Sequence, residues 1–151
     1  MWRLNEFSLQ RLSVILLVPA LLAAVSAGWH PATLHSSEWD VTVSQIAEEK
    51  QVLWLDVRSE ADYVAGHVED AFWFNPEEWD VQLPMLLQLW QPDNLVVVYC
   101  SSNKCQTSLE VARRLRMEVG LERVFYLKGG WEELVHSNER YGIEIHAEVK
   151  R

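Results

Sequence analysis

The stretch LVVVYCSSNKCQT, residues 95–107, joins the strongest strand signal of the chain to its two cysteines. The run Leu95–Tyr99 is continuous, apolar and rich in β-branched residues, which predicts a central strand of a parallel sheet covered on both faces. A polar loop follows, and residues 107–119 then carry apolar side chains at helical spacing. This succession of strand, polar loop and helix is typical of α/β folds.

The sequence on either side of this stretch repeats the alternation of strand and helix patterns. Apolar runs predict three further strands at 52–55, 71–74 and 124–127, and helical patterns occur at 43–49, 59–64, 76–90 and 131–136. The alternation indicates one α/β domain. A chain of 151 residues with 49% apolar side chains is long enough for a single sizeable core.

The boundaries of this domain are predicted from changes in composition. Residues 28–38 contain Pro and Ser and lack periodicity, so we expect a linker there and the folded domain at 39–137. Residues 138–151 form a C-terminal extension whose weak alternation predicts either an edge strand or a frayed tail.

Residues 1–27 have the layout of an export signal. Arg3 and Arg11 lead into an apolar run from Leu12 to Ala27 that predicts an N-terminal hydrophobic helix and ends in small residues. The run is shorter than the roughly 20 apolar residues that a spanning helix needs, so we expect a signal peptide cleaved after Ala27, with an uncleaved membrane anchor as the alternative. Either outcome places the domain outside the cytoplasm, in the periplasm or held at the membrane.

The formal charge of −9 and the absence of a Lys/Arg run argue against a nucleic-acid partner. The five histidines lack ligand spacing with one another or with the cysteines, so the sequence predicts neither a metal site nor a cofactor.

Cys100 is the predicted nucleophile. A thiol between a buried strand and a helix start lies near unpaired N–H groups and the positive end of the helix dipole, which favour the thiolate. The loop amides after Cys100, together with Lys104, are then expected to hold an anionic group carried on the sulfur. The alternative is a buried structural thiol.

Cys105 lies five positions further on and has two open interpretations. It either resolves an oxidised or persulfidated Cys100 through a disulfide, or fills the inner side of the loop as a small residue. A purely structural disulfide is less favoured, because so short a closed loop restricts the unfolded chain little.

Three segments resemble the rhodanese-like domain family: LDVRSEADYVAGHVEDAFWFN at 55–75, VVVYC at 96–100 and VFYLKGGW at 124–131. They supply a D-V-R element, a G-H element, a strand ending in the catalytic Cys, and a closing G-G-W. The resemblance implies a three-layer fold with a five-stranded, mostly parallel sheet between helices. It also implies that Cys100 accepts a sulfane sulfur from a donor such as thiosulfate, forms a persulfide and passes the sulfur to cyanide, a thiol or a partner protein.

The resemblance assigns the other site residues. The anion-binding loop would comprise Ser101, Ser102, Asn103, Lys104, Cys105, Gln106 and Thr107. Asp56 and Arg58 would form an ion pair that braces this loop, and the His67 ring would hold the turn that follows it through a hydrogen bond.

The loop departs from the family pattern, because no Gly or Arg occurs between Cys100 and Ser108. Without an Arg to grip a phosphoryl group in two places, phosphatase activity is not expected. Two alternatives to sulfur transfer stay open: a Cys100/Cys105 thiol–disulfide redox element, and a non-catalytic binding module.

Overall fold

A computed structural model of the chain describes residues 38–102 and 106–147. The predicted signal or anchor segment, nearly all of the linker and three residues of the Cys100 loop lie outside the described residues, so the export prediction stays a prediction. Within the described ranges, no helix is both long and apolar enough to cross a membrane.

Seven strands of the described residues form two sheets. They are β1 (Asp40–Val41), β2 (Val52–Asp56), β3 (Gly66–Val68), β4 (Phe72–Trp73), β5 (Leu95–Tyr99), β6 (Val124–Leu127) and β7 (Ile145–Ala147). Five strands make a wholly parallel sheet in the order β1-β6-β5-β2-β4, whereas β3 and β7 form a separate antiparallel pair. The predicted five-stranded parallel sheet, with β5 at its centre, is confirmed.

In residues 38–102 and 106–147, five helices connect the strands. They are α1 (Val43–Ile46), α2 (Glu60–Ala65), α3 (Trp79–Leu89), α4 (Thr107–Arg114) and α5 (Gly130–Tyr141). A short 3₁₀ turn, Pro76–Glu78, precedes α3, and a π-helical turn, Leu115–Val119, extends α4.

Alternation along β5 divides the core into two layers. Val96 and Val98 pack on the side of α3 and α4, while Val97 and Tyr99 pack on the side of α1 and α5. All five residues of β5 are buried, which explains why this strand carries a continuous apolar run. Cys100, the next residue, belongs to the layer of α3 and α4.

Several predicted bounds differ from the structure. Strand β1 has two residues and β3 has three, too few for a periodic pattern, and neither was predicted. Helix α5 continues to Tyr141, where Gly142 in a left-handed conformation (φ 68°) ends it. Of the C-terminal extension, residues 145–147 are a strand paired with β3.

Candidate active site

Cys100 lies directly after the central strand, at the carboxyl edge of the parallel sheet where ligands of open α/β sheets bind. Only 2% of the residue is exposed. Its Sγ is 3.3 Å from the Ser108 hydroxyl oxygen, and the thiol donates to the Ser102 carbonyl oxygen at 3.5 Å. The sulfur therefore sits at the margin of the apolar layer, and the polar atoms of the described residues that it contacts include these two oxygens.

The start of α5 holds the backbone of the Cys100 loop. The Trp131 backbone N–H donates to the Cys100 carbonyl oxygen at 2.7 Å, and the Glu132 N–H donates to the Ser101 carbonyl oxygen at 3.3 Å. This approach requires glycine at position 130, which has φ 58° and where a Cβ atom would collide with the Cys100 carbonyl oxygen. The closing G-G-W element thus fixes the first residues of the loop.

Asp56 and Arg58 form a buried ion pair at the end of β2. The Arg58 Nη2 lies 2.6 Å from Asp56 Oδ2, and both Nε and the backbone N–H of Arg58 also donate to the carboxylate. The same Nη2 donates to the Gly66 carbonyl oxygen at 2.5 Å, and the guanidinium carbon lies 4.1 Å from the centre of the Trp131 ring. The pair therefore braces the turn into β3 and Trp131, and among the described residues its link to the Cys100 loop runs through Trp131.

Tyr99 completes this brace on the opposite face of β5 from Cys100. Its ring centre lies 6.1 Å from that of Trp131 at an interplanar angle of 21°, and its hydroxyl accepts the Val68 backbone N–H at 3.3 Å. Burial, followed by the charge of Asp56, raises the pKa of the Tyr99 hydroxyl above its ordinary value. The phenol is therefore neutral at physiological pH.

Tyr99→Phe is expected to lower the free energy of unfolding by about 1–3 kcal/mol, because the buried Val68 amide loses its acceptor. Urea denaturation at neutral pH measures this difference. The folded state holds the Tyr99 pKa above the unfolded value, so the hydroxyl's contribution is present below about pH 10 and is lost as the pH rises beyond it. The difference in the free energy of unfolding between wild type and Tyr99→Phe should therefore become smaller above about pH 10. Equal stability of the two proteins at pH 7 would contradict the role given to the hydroxyl.

His67 is held differently from the prediction. Its Nδ1 lies 2.8 Å from the Tyr63 carbonyl oxygen, and its ring stacks on the Tyr63 ring with centres 3.9 Å apart. The ring centre of His146 on β7 lies 5.1 Å away. The hydrogen bond thus ties His67 to the preceding helix α2 and not to the following turn, since the residue pairs with β7 on a strand of its own.

The predicted anion-binding loop is described in part. Ser101 and Gln106 are exposed, Ser102 and Thr107 are partly buried, and residues 103–105, which include Lys104 and Cys105, lie outside the described residues. At Ser102 the carbonyl oxygen accepts from the Cys100 thiol. The prediction of an amide cradle, and both interpretations of Cys105, stay predictions.

Ser108 is a residue at the sulfur that the sequence analysis did not single out. It precedes the buried residues Val111 and Ala112 by three and four positions, and this helical spacing was the signal that could have placed it on the inner face.

Across residues 38–102 and 106–147, no group of three His, Cys, Asp or Glu side chains could hold a metal ion.

Comparison with curated proteins finds relatives that are much longer than this chain. The tRNA uridine(34) hydroxylase of Yersinia enterocolitica is 27% identical over 106 residues, which cover 68% of this chain and 29% of that protein. The protein of the same name from Photorhabdus laumondii is 26% identical over the same shares. This chain therefore spans less than a third of the length of these relatives.

Solved structures share the fold. A thiosulfate sulfurtransferase from Pseudomonas aeruginosa aligns with a TM-score of 0.57 at 20% identity, over 74% of this chain and 20% of that one. The Alr3790 protein from Anabaena aligns with a TM-score of 0.55 at 20% identity, over 71% and 80% of the two chains. The family model described as "Rhodanese-like domain" matches residues 41–137. The chain belongs to the rhodanese-like domain family.

Proposed function

We propose that this domain is a sulfurtransferase that carries a sulfane sulfur on Cys100. The observation that carries the proposal is the position of the Cys100 sulfur: at the carboxyl edge of the central strand, between two polar atoms, with its main chain fixed by the start of α5. Membership of a family whose members include sulfurtransferases supports the same chemistry.

The proposed reaction has two displacement steps. The Cys100 thiolate attacks the outer sulfur of thiosulfate, an Sγ–S bond forms, and sulfite leaves with the electron pair of the broken S–S bond. An acceptor such as cyanide or a thiolate then attacks the outer sulfur of the persulfide. This second step releases thiocyanate or a new persulfide and returns Cys100 as a thiolate.

The burial of Cys100 bears on its substrates. With 2% of the residue exposed, the site favours a small sulfur-containing anion as donor over a bulky one. This chain spans only 29% of the length of the relative from Yersinia enterocolitica, so the hydroxylase activity named for that protein carries no argument about the substrates of this domain.

Intact-mass analysis after thiosulfate treatment tests the proposal. The purified, reduced domain is expected to gain the mass of one sulfur atom, and Cys100→Ser is expected to abolish the gain by removing the nucleophile. Adding cyanide should return the wild-type mass and release thiocyanate. A folded, reduced wild-type domain that gains no sulfur would overturn the proposal.

A Cys105→Ser variant in the same experiment separates sulfur transfer from the redox alternative. Sulfur transfer through Cys100 survives the substitution, whereas a dithiol switch is lost with it. The burial of Cys100 favours the binding module as the second candidate, and that function would survive Cys100→Ser.

A further inference from the structure

Ser108 is the second residue of α4, with 2% of its surface exposed, and its hydroxyl oxygen lies 3.3 Å from the Cys100 Sγ. We propose that Ser108 is a catalytic residue whose hydroxyl donates a hydrogen bond to the ionised Cys100 sulfur. The role of this hydrogen bond in sulfur transfer rests on the proposed function. The contact between the hydroxyl and the sulfur does not depend on that function.

The hydroxyl has no evident role in the helix itself. The other buried positions of α4 are Val111 and Ala112, so the inner face of the helix is otherwise apolar. The first residue before the helix, Gln106, makes no side-chain cap, and Ser108 directs its oxygen to the sulfur instead of to the helix start. Alanine has a higher helix propensity and would fill this position without burying a polar atom. A serine here is explained by the sulfur that it contacts.

Ser102 and Ser108, two polar neighbours of the sulfur within the described part of the chain, act on it in opposite directions. The Ser102 carbonyl oxygen accepts the thiol proton and so suits the neutral form of Cys100. The Ser108 hydroxyl can rotate, accepting from a thiol and donating to a thiolate. A hydrogen bond to the charged form stabilises that form, so Ser108 shifts the balance towards the nucleophile.

This donor serves both steps of sulfur transfer. In the first step it stabilises the Cys100 thiolate that attacks the donor. In the second step the bond between Sγ and the outer sulfur breaks, and Sγ leaves with the electron pair. The hydroxyl then stabilises the same sulfur as the leaving group.

The test is the pH midpoint of thiolate formation at Cys100, followed by ultraviolet absorbance as the difference between each protein and its Cys100→Ser counterpart. Ser108→Ala is expected to raise this midpoint by about one pH unit, which is a tenfold smaller thiolate fraction at pH values below it. Ser108→Thr keeps a hydroxyl and is expected to restore the midpoint. Ser137→Ala is the matched control, because it removes a buried hydroxyl from α5 that bonds to Glu133.

A midpoint in Ser108→Ala equal to that of wild type and Ser137→Ala would overturn the proposal. Because alanine has a higher helix propensity than serine, Ser108→Ala is expected to fold, and circular dichroism checks this before the titration. Ser108→Cys, which is closest to serine in size and is a weaker hydrogen-bond donor, is the second variant, read against Cys100→Ser/Ser108→Cys, and its Cys100 midpoint is also expected to rise. The titration needs no sulfur donor, so its result is independent of the thiosulfate experiment. A wild-type domain that takes up no sulfur would contradict the proposed function, and the titration would still decide whether Ser108 stabilises the thiolate.

Discussion

Arg58→Met is expected to lower the free energy of unfolding by about 3–5 kcal/mol, because it leaves the Asp56 carboxylate buried without its cation. Asp56 is wholly inaccessible to solvent, so water cannot replace the two Arg58 side-chain nitrogen donors, Nε and Nη2, that it loses. The Gly66 carbonyl oxygen also loses its donor, and the Trp131 ring loses the guanidinium beside it. Urea denaturation followed by circular dichroism measures the change.

Two further variants test whether the cost of Arg58→Met comes from leaving a buried charge without a partner. Arg123 pairs with Glu49 at a surface where the two side chains are 41% and 34% exposed, so Arg123→Met should cost no more than about 1 kcal/mol. The double variant Asp56→Leu/Arg58→Met removes both charges and is expected to recover most of the stability that Arg58→Met loses. A cost for Arg58→Met no larger than that of Arg123→Met would contradict the buried brace.

Gly130→Ala is expected to lower stability and to impair sulfur uptake at Cys100. The left-handed conformation costs an alanine about 1–2 kcal/mol, and forcing a methyl group into a filled space costs about 1–3 kcal/mol more. The added Cβ atom would collide with the Cys100 carbonyl oxygen and lie 3.1 Å from the Ser102 nitrogen. Relief of this collision must move the loop or break its hydrogen bond to Trp131.

Gly142→Ala is the matched control for this collision. Gly142 also has a left-handed backbone (φ 68°), but a Cβ atom there meets nothing within 4 Å. Gly142→Ala should lower the free energy of unfolding only by the cost of a left-handed alanine, about 1–2 kcal/mol. Sulfur uptake from thiosulfate should stay at the wild-type level. If Gly130→Ala and Gly142→Ala had the same stability and the same sulfur uptake, the conclusion that the start of α5 holds the Cys100 loop in place would be wrong.

The sheet could be predicted from sequence where burial leaves a pattern. Strand β5 is buried on both faces, and its LVVVY run therefore has no polar residue to interrupt it. Strands β1 and β3 escape prediction because two or three residues carry no periodicity, and their pairing depends on segments distant in the chain. The antiparallel partner of β3, for example, is residues 145–147, almost eighty positions away.

The candidate site shows the same division. Cys100 could be predicted because a strand, a polar loop and a helix adjoin it in sequence, and the D-V-R element suggests that Asp56 and Arg58 pair. That this pair acts on Trp131, and that Trp131 holds the Cys100 carbonyl, follows only from tertiary packing. Ser108 was missed because a lone serine in an apolar helical pattern carries no chemical signal until its neighbour is known.

The opposite orientation of Tyr99 and Cys100 has a consequence for protein engineering. Because adjacent residues of an extended chain point to opposite sides, the sulfur faces α4 while the phenol faces Trp131 and the ion pair. The two sides still meet at Trp131, whose ring packs on Tyr99 and Arg58 while its backbone N–H holds the Cys100 carbonyl oxygen. A designer who raises heat resistance on the Tyr99 side should therefore expect its effects to couple with those of substitutions near the sulfur, and should measure that coupling with double variants.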